Sequence, residues 1–257
     1  MDNVTQLCEQ LGSDDQTKAF QARRGLWVLI SAAGAPGKES DRTVLASALA
    51  GELVAKNEQK EEDKKKKKEE KTPKLNAKAR NQIALLLADI ANDPEIPALI
   101  ETLGDFDVRE NARFALARIP SAAATAALAE TAQKAVGVEY RVGVLGSLGR
   151  RSGSVATDAL KQVADDTGVE VRLVAAESLA EQPDAAGDAI IAKIGKELGA
   201  TNPRAAKRTS IARLQLAQTL AKAGQKDAAR GIYQSIASDG ADDAQKNAAK
   251  SALTQLG

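Results

Sequence analysis

The chain predicts an all-α fold, a right-handed α-solenoid (α-α superhelix) of about six or seven helix pairs. Three observations predict it. A short phrase recurs in which a basic residue is followed by a buried-type residue at plus three and another at plus seven. Those offsets share one face of an α-helix. Aromatic residues are 2% of the chain, and much of its 43% hydrophobic content is Ala, so the core is aliphatic and helices can approach closely. Alternating β-branched runs are few, so no substantial sheet is expected.

In chain order the phrase begins with Arg23, Leu26 and Ile30. It returns as Arg80, Ile83, Leu87; as Arg109, Ala112, Leu116; as Arg141, Val144, Leu148; and as Arg172, Ala175, Leu179. Arg213, Leu216, Leu220 and Lys246, Ala249, Leu253 complete the series. The anchors are spaced by 57, 29, 32, 31, 41 and 33 residues, mostly close to the period of roughly 30 to 45 residues of paired-helix repeats. Each phrase marks the second helix of a pair. First helices are expected between them, around 96–103, 122–136, 155–163 and 189–198. Pro94, Pro120, Pro183 and Pro203 stand where such helices begin, as the first-turn preference of proline predicts. Short turns such as Gly104-Asp105, Asp165-Asp166-Thr167-Gly168 and Asp239-Gly240 separate the partners. Gln6, Glu9 and Gln10 give the first helix a polar outer face, as the end of an array requires. The run from Arg23 to Ala35 superficially resembles an export leader, but 22 residues carrying Glu9, Asp14 and Asp15 precede it, and it fits the helical phrase.

The 57-residue gap contains a charged stretch. Residues 56–74 hold nine Lys and six acids and lack the apolar residues that would offset the entropy of ordering. They read as a flexible insertion in a single array spanning 1–257, with intermixed charges that favour solvation over a basic tether. The rest of the chain then has 27 bases and 29 acids, a net charge of about −2. A body so near neutrality is a poor general nucleic-acid binder. No run of about 18 apolar residues is present, so no membrane span is expected.

Composition also limits chemistry. Histidine is absent and Cys8 is the single cysteine. These facts exclude His-based acid-base or nucleophilic dyads, intramolecular disulfides and thiolate metal cages. Cys8, between Leu7 and Leu11, reads as a small core hydrophobe. Gly143, Gly146 and Gly149 fall within a predicted helix and read as a close-packing stripe, not a nucleotide loop. Carboxylate pairs Asp165-Asp166 and Asp242-Asp243 lie in turns and suit capping better than catalysis. No catalytic, cofactor-binding or metal-binding residue is expected, and the chain does not read as an enzyme.

At this level of detail the residues resemble a known family. The run Asp105-Phe106-Asp107-Val108-Arg109-Glu110-Asn111-Ala112-Arg113-Phe114-Ala115-Leu116-Ala117 resembles the second helix of a HEAT repeat, of the short bacterial kind also found in phycobilin lyase subunits. Residues 166–180 match nearly as well, and 138–149 match with Gly149 in place of the small Ala. The resemblance covers about 76–182, extends to 203–256, and is weaker over 1–55. Leu216, Ala217, Leu220, Gly224, Ala229 and Tyr233 are spaced like a tetratricopeptide signature without its tryptophan, so 203–238 is expected to form a tetratricopeptide-like helix pair. The resemblance implies an armadillo-type fold and protein binding.

The repeated arginine lies on the stripe of the buried leucines. Its stem is expected on core surface with its guanidinium bonded to acids in the preceding turn or to carbonyls of the neighbouring repeat. Residues 198–226 contain Arg204, Lys207, Arg208, Arg213, Lys222 and Lys226 and no acid, whereas 155–197 hold four bases and nine acids. Arg204, Lys207 and Arg208 share a helix face and are the expected contacts for a partner with an acidic surface. The expected function is a non-catalytic interaction or scaffold module, monomeric or weakly oligomeric and cytoplasmic. Two alternatives are an accessory subunit of a lyase-like enzyme and a backbone-only nucleic-acid binder using 198–226. No family residue carries over to support the first, and base-stacking aromatics near 198–226 are missing for the second.

Overall fold

The computed structural model describes residues 2–56 and 72–256. Among them fourteen α-helices are present and no strand longer than an isolated bridge. Each phrase anchor falls in an even-numbered helix. Contacts divide the chain into two compact units, Met1–Ala127 and Leu128–Gly257.

Unit 1 contains α1 (Asp2–Leu11), α2 (Gln16–Ala33), α3 (Glu39–Val54), α4 (Ala77–Ile90), α5 (Ile96–Thr102) and α6 (Arg109–Arg118). Asp15 caps α2, its carboxylate accepting from the Thr17 and Lys18 amides at 2.9 and 3.3 Å. This satisfies amides that the first turn of a helix leaves free. Asn76 caps α4 through the Ala79 amide and donates to the Gly12 carbonyl at 2.9 Å, which ties α4 to the end of α1. α4 stacks on α6 and packs against α3. Covered from several sides, it buries Ala79, Arg80, Ile83, Ala84, Leu86, Leu87, Ala88 and Ile90.

The division between units falls within α7 (Ala122–Lys134). Unit 2 continues with α8 (Val138–Gly149), α9 (Ser154–Gln162), α10 (Val169–Ala180), α11 (Gly187–Gly199), α12 (Pro203–Lys222), α13 (Lys226–Asp239) and α14 (Asp243–Leu256). α10 stacks between α8 and α12 and also touches α9 and α11, which explains burial all round it. Gly149 permits the closest part of this stack, because a Cβ there would lie 2.9 Å from that of Ser178. Gln182 Nε2 donates to the Gly149 carbonyl at 2.6 Å and Ser178 Oγ to the Leu145 carbonyl at 3.1 Å. Of the glycine stripe, Gly149 therefore makes a close approach, whereas a Cβ on Gly146 would meet open space.

The phrase works as the sequence implies. All seven plus-three residues, Leu26, Ile83, Ala112, Val144, Ala175, Leu216 and Ala249, are 0% exposed. The plus-seven leucines 87, 116, 148, 179 and 220 are buried too. Truncating such a leucine to Ala costs about 2–5 kcal/mol. Prolines behave less uniformly. Pro203 is the first residue of α12, behind an Asn202 cap on the Ala205 amide. Pro94 instead opens a 3₁₀ turn, Asp93–Glu95, that leads into α5, and Pro183 lies in a turn four residues before α11. Where α12 and α13 pack, Leu216, Ala217, Leu220, Ala229 and Tyr233 are buried. Gly224 has φ of +84° between them, the left-handed geometry that ends α12.

Residues 57–71, most of the charged stretch, lie outside the described residues. Its ends belong to the folded body. Lys56 and Pro73 form an antiparallel bridge and the Lys74 amide donates to the Ala55 carbonyl at 2.7 Å. Lys56 pairs with Glu101 at 2.7 Å and Lys74 with Glu9 at 3.1 Å. Residues 56 and 73 are thus held side by side.

Candidate functional site

The repeated arginine forms a ladder with a register that differs from the expected one. Arg80 Nε donates to the Leu53 carbonyl at the end of α3 at 3.0 Å. Arg141 Nε bonds the Ala132 carbonyl at 3.1 Å and Arg172 Nε the Ala164 carbonyl at 2.8 Å. The outer nitrogens reach an acid 25 residues farther on: Arg80 to Asp105, Arg141 to Asp166 and Arg172 to Glu197. An acid just before one arginine therefore serves the arginine of the preceding pair. Arg213 reverses the direction and forks onto Asp188 at 2.6 and 3.0 Å. Arg109 lies over the Phe106 ring at 4.5 Å. These groups join first helix, second helix and next repeat, and are structural.

The basic residues of α12 are distributed unevenly. Arg204 is exposed and has no ion pair among the described residues. Lys207 pairs with Asp242 at 3.3 Å. Arg208 is held by two carboxylates of α10: Nε and NH2 donate to Glu177 at 2.7 and 2.9 Å, and NH1 donates to both Glu170 oxygens at 2.8 Å. Hydrogen bonding to Glu177, and then to Glu170, raises the Arg208 pKa further against the opposing effect of burial. The acids missing from residues 198–226 arrive from α10, α11 and the turn before α14. Arg204, Lys207 and Arg208 do not form one uncompensated face.

A different surface stands out in unit 1. The chain has six aromatic residues. Tyr140 and Tyr233 are buried, but Phe20, Trp27, Phe106 and Phe114 are 55, 51, 77 and 42% exposed. All four exposed rings are in unit 1. α2 turns Ala22, Leu26, Ile30 and Ala33 into the core, so Phe20, Arg23 and Trp27, spaced by three and four, fall on another face. On α6, Ala112, Ala115 and Leu116 are buried and Phe114 projects outward. A cavity of about 480 Å³ is lined by Arg23 and Trp27 of α2, Leu85 and Asp89 of α4, and Phe114 and Arg118 of α6. A second, of about 320 Å³, adjoins it through Arg23 and Gln82 and extends to Phe20 and Lys78.

Guanidinium groups lie near two of these rings. Arg23 stands 5.8 Å from the Phe20 ring centre and Arg118 5.9 Å from that of Phe114. Such contacts orient a cation at a modest energetic gain. Arg118 also donates to the Ala88 carbonyl at 2.8 Å and meets Asp89 at 3.2 Å. Arg23 has no carboxylate partner among the described residues. The sequence reading passed over this groove because aromatics are scarce. The available signal was their position, on predicted helices but off the buried phrase.

Other chemistry is limited. Among the described residues, no group of three or more His, Cys, Asp or Glu side chains could hold a metal ion. Cys8 is 0% exposed. Burial first, then Glu52 and Glu9, pushes its thiol up to about 12, so it remains protonated and weakly nucleophilic at neutral pH. No described helix is long and apolar enough to cross a membrane.

No family model matches the chain, and no curated protein matches it. Among solved structures it is similar to the complex of CpcE and CpcF of phycocyanin lyase from Nostoc sp. PCC7120. That match has 18% identity, covers 97% of this chain and 93% of that chain, and has a TM-score of 0.44. Human deoxyhypusine hydroxylase in complex with glycerol is similar at 17% identity, 99% and 96% coverage and a TM-score of 0.38. An engineered protein is similar at 19% identity, 100% and 97% coverage and a TM-score of 0.29.

Proposed function

We propose that this chain is a non-catalytic protein-interaction module whose partner seats in the aromatic groove across α2, α4 and α6. One observation carries the reading: every Phe and the single Trp stand exposed in unit 1, and Phe20, Trp27 and Phe114 line adjoining cavities. Exposed rings forgo the stabilisation that burial in a core would bring, and buried aromatics dominate interface energies. An exposed apolar cluster beside a polar rim is the pattern of an interaction site. On unit 2, Arg204 offers an additional contact for an acidic partner, whereas Arg208 is committed to Glu170 and Glu177.

The test is capture from a lysate of the source organism with the wild-type chain and with Trp27→Ala/Phe114→Ala. The double variant is expected to keep its helicity and lose the captured partner. Equal capture by both would overturn the groove as the interaction site.

A further inference from the structure

The groove has a length, an apolar floor, an uneven charge and an unused amide, and together these describe an occupant. α4 lines it from Lys78 to Asp89. At 1.5 Å per residue this is about 16 Å, which about five residues of extended chain span at 3.3 Å each. Trp27, Leu85 and Phe114 present exposed apolar surface along it. The cations on its walls are Arg23, Lys78 and Arg118, against the single acid Asp89, which Arg118 already meets at 3.2 Å. Arg23 lies near the Phe20 ring and has no carboxylate of its own among the described residues. Gln82 lines both cavities, and its side-chain amide has no hydrogen-bond partner among the described residues. A primary amide can both donate to and accept from a peptide backbone. An extended chain has such groups available, whereas a helix has bonded its own.

We infer that the groove binds an extended acidic peptide segment of about five residues carrying a bulky apolar side chain. The apolar side chain seats on Trp27, Leu85 and Phe114. A partner carboxylate pairs with Arg23, and Gln82 bonds the partner backbone. This inference rests on the proposed interaction groove and adds the chemical class of its occupant. Arg118 is committed to Asp89 and Lys78 to the Ser13 carbonyl, so the groove lacks the continuous free positive charge that tracks a phosphate backbone, which favours peptide over single-stranded nucleic acid.

Trp27 is the only tryptophan, so its emission reports occupancy of the groove. A random peptide library displayed on phage would be selected on the full chain and counter-selected on Trp27→Ala. The enriched peptides would be synthesised and titrated against Trp27 fluorescence, with oligothymidylate as a parallel ligand. Acidic sequences with a bulky apolar residue are expected to be enriched. Arg23→Glu, an exposed change with no ion pair to lose, is expected to weaken them at least about tenfold, as a lost charge pair in an interface does. Enrichment of Trp27-dependent but neutral or basic peptides would overturn the acidic class while leaving the groove a protein-binding site. Tighter binding of oligothymidylate than of any selected peptide would overturn the peptide class. Absence of Trp27-dependent enrichment, with lysate capture unchanged in Trp27→Ala/Phe114→Ala, would overturn both readings.

Discussion

Replacing Arg80 by Ala should destabilise unit 1 more than its surface chemistry suggests. Arg80 is 7% exposed and bonds three elements: its own helix α4, the end of α3 through the Leu53 carbonyl, and the turn before α6 through Asp105. A hydrogen bond from a charged donor contributes about 1.5–3 kcal/mol, and its loss leaves a helix-end carbonyl without a partner. Removing one member of a fully buried ion pair costs about 3–5 kcal/mol. Asp105 is 30% exposed and keeps the Asp107 amide at 3.0 Å, so its share is smaller. A total near 3 kcal/mol is expected, which at about 2–4 °C per kcal/mol lowers the melting temperature by about 6–12 °C. Asp105→Asn retains an acceptor for the amide and should cost about a third of that, near 1 kcal/mol. Differential scanning calorimetry and urea titration would measure both. A melting temperature for Arg80→Ala within about 2 °C of wild type would refute the view that this ladder supports the stack.

Two glycines of α8 should respond in opposite directions. Gly149→Val drives a side chain into Ser178 and should cost about 1–3 kcal/mol by overpacking, while Gly146→Ala, facing open space, should gain about 0.5–1 kcal/mol of helix propensity. A destabilising Gly146→Ala measured by thermal melting would contradict the assigned spacing. Replacing residues 57–71 by a short Asn-Gly turn should leave circular dichroism and melting nearly unchanged, because Lys56 and Pro73 are already paired. Removing 56–74 should lower melting by a few degrees through the lost Lys74 contacts, and equal melting of the two deletions would count against them. Burial pushes the Asp166 carboxyl up, but hydrogen bonds from Arg141 and the Gly168 amide outweigh it and hold the pKa below the ordinary 3.8. A depressed carboxylate contributes stability above its unfolded value, and that contribution fades as pH falls through the folded value. The stability gap between wild type and Asp166→Asn should therefore be present at pH 7 and shrink below about pH 4. A gap of constant size would refute the assignment. Arg208→Glu should lower thermal stability by facing Glu170 and Glu177 with a like charge, whereas Arg204→Glu should leave melting unchanged. Comparable losses in both would show that Arg204 also has a structural partner.

Local signals carried far because each repeat is built from local order. The positions of the second helices followed from one phrase, since a residue at plus three or plus seven must share a face with its anchor on any α-helix. Pairings were harder. Asp105 looked like the partner of nearby Arg109, but it serves Arg80, because stacking brings a turn beside the previous second helix. The same effect misled the charge reading of 198–226. Arg208 is surrounded by acids that lie 31 and 38 residues away, beyond any window drawn around it. The groove failed to register for another reason. Phe20, Trp27 and Phe114 are ordinary as types and unusual only in facing outward together, which depends on how α2, α4 and α6 align.

The sequence by itself determined the helical class, the repeat length, the buried face of each second helix and the lack of histidine chemistry. These depend on periodicity and composition, which operate within a turn or two of the chain. Only the tertiary structure decided which acid meets which arginine, that Arg208 is bound internally, and that Phe20, Trp27 and Phe114 line adjoining cavities. Those outcomes depend on the lateral register of stacked helices, which packing sets between residues 25 or more positions apart.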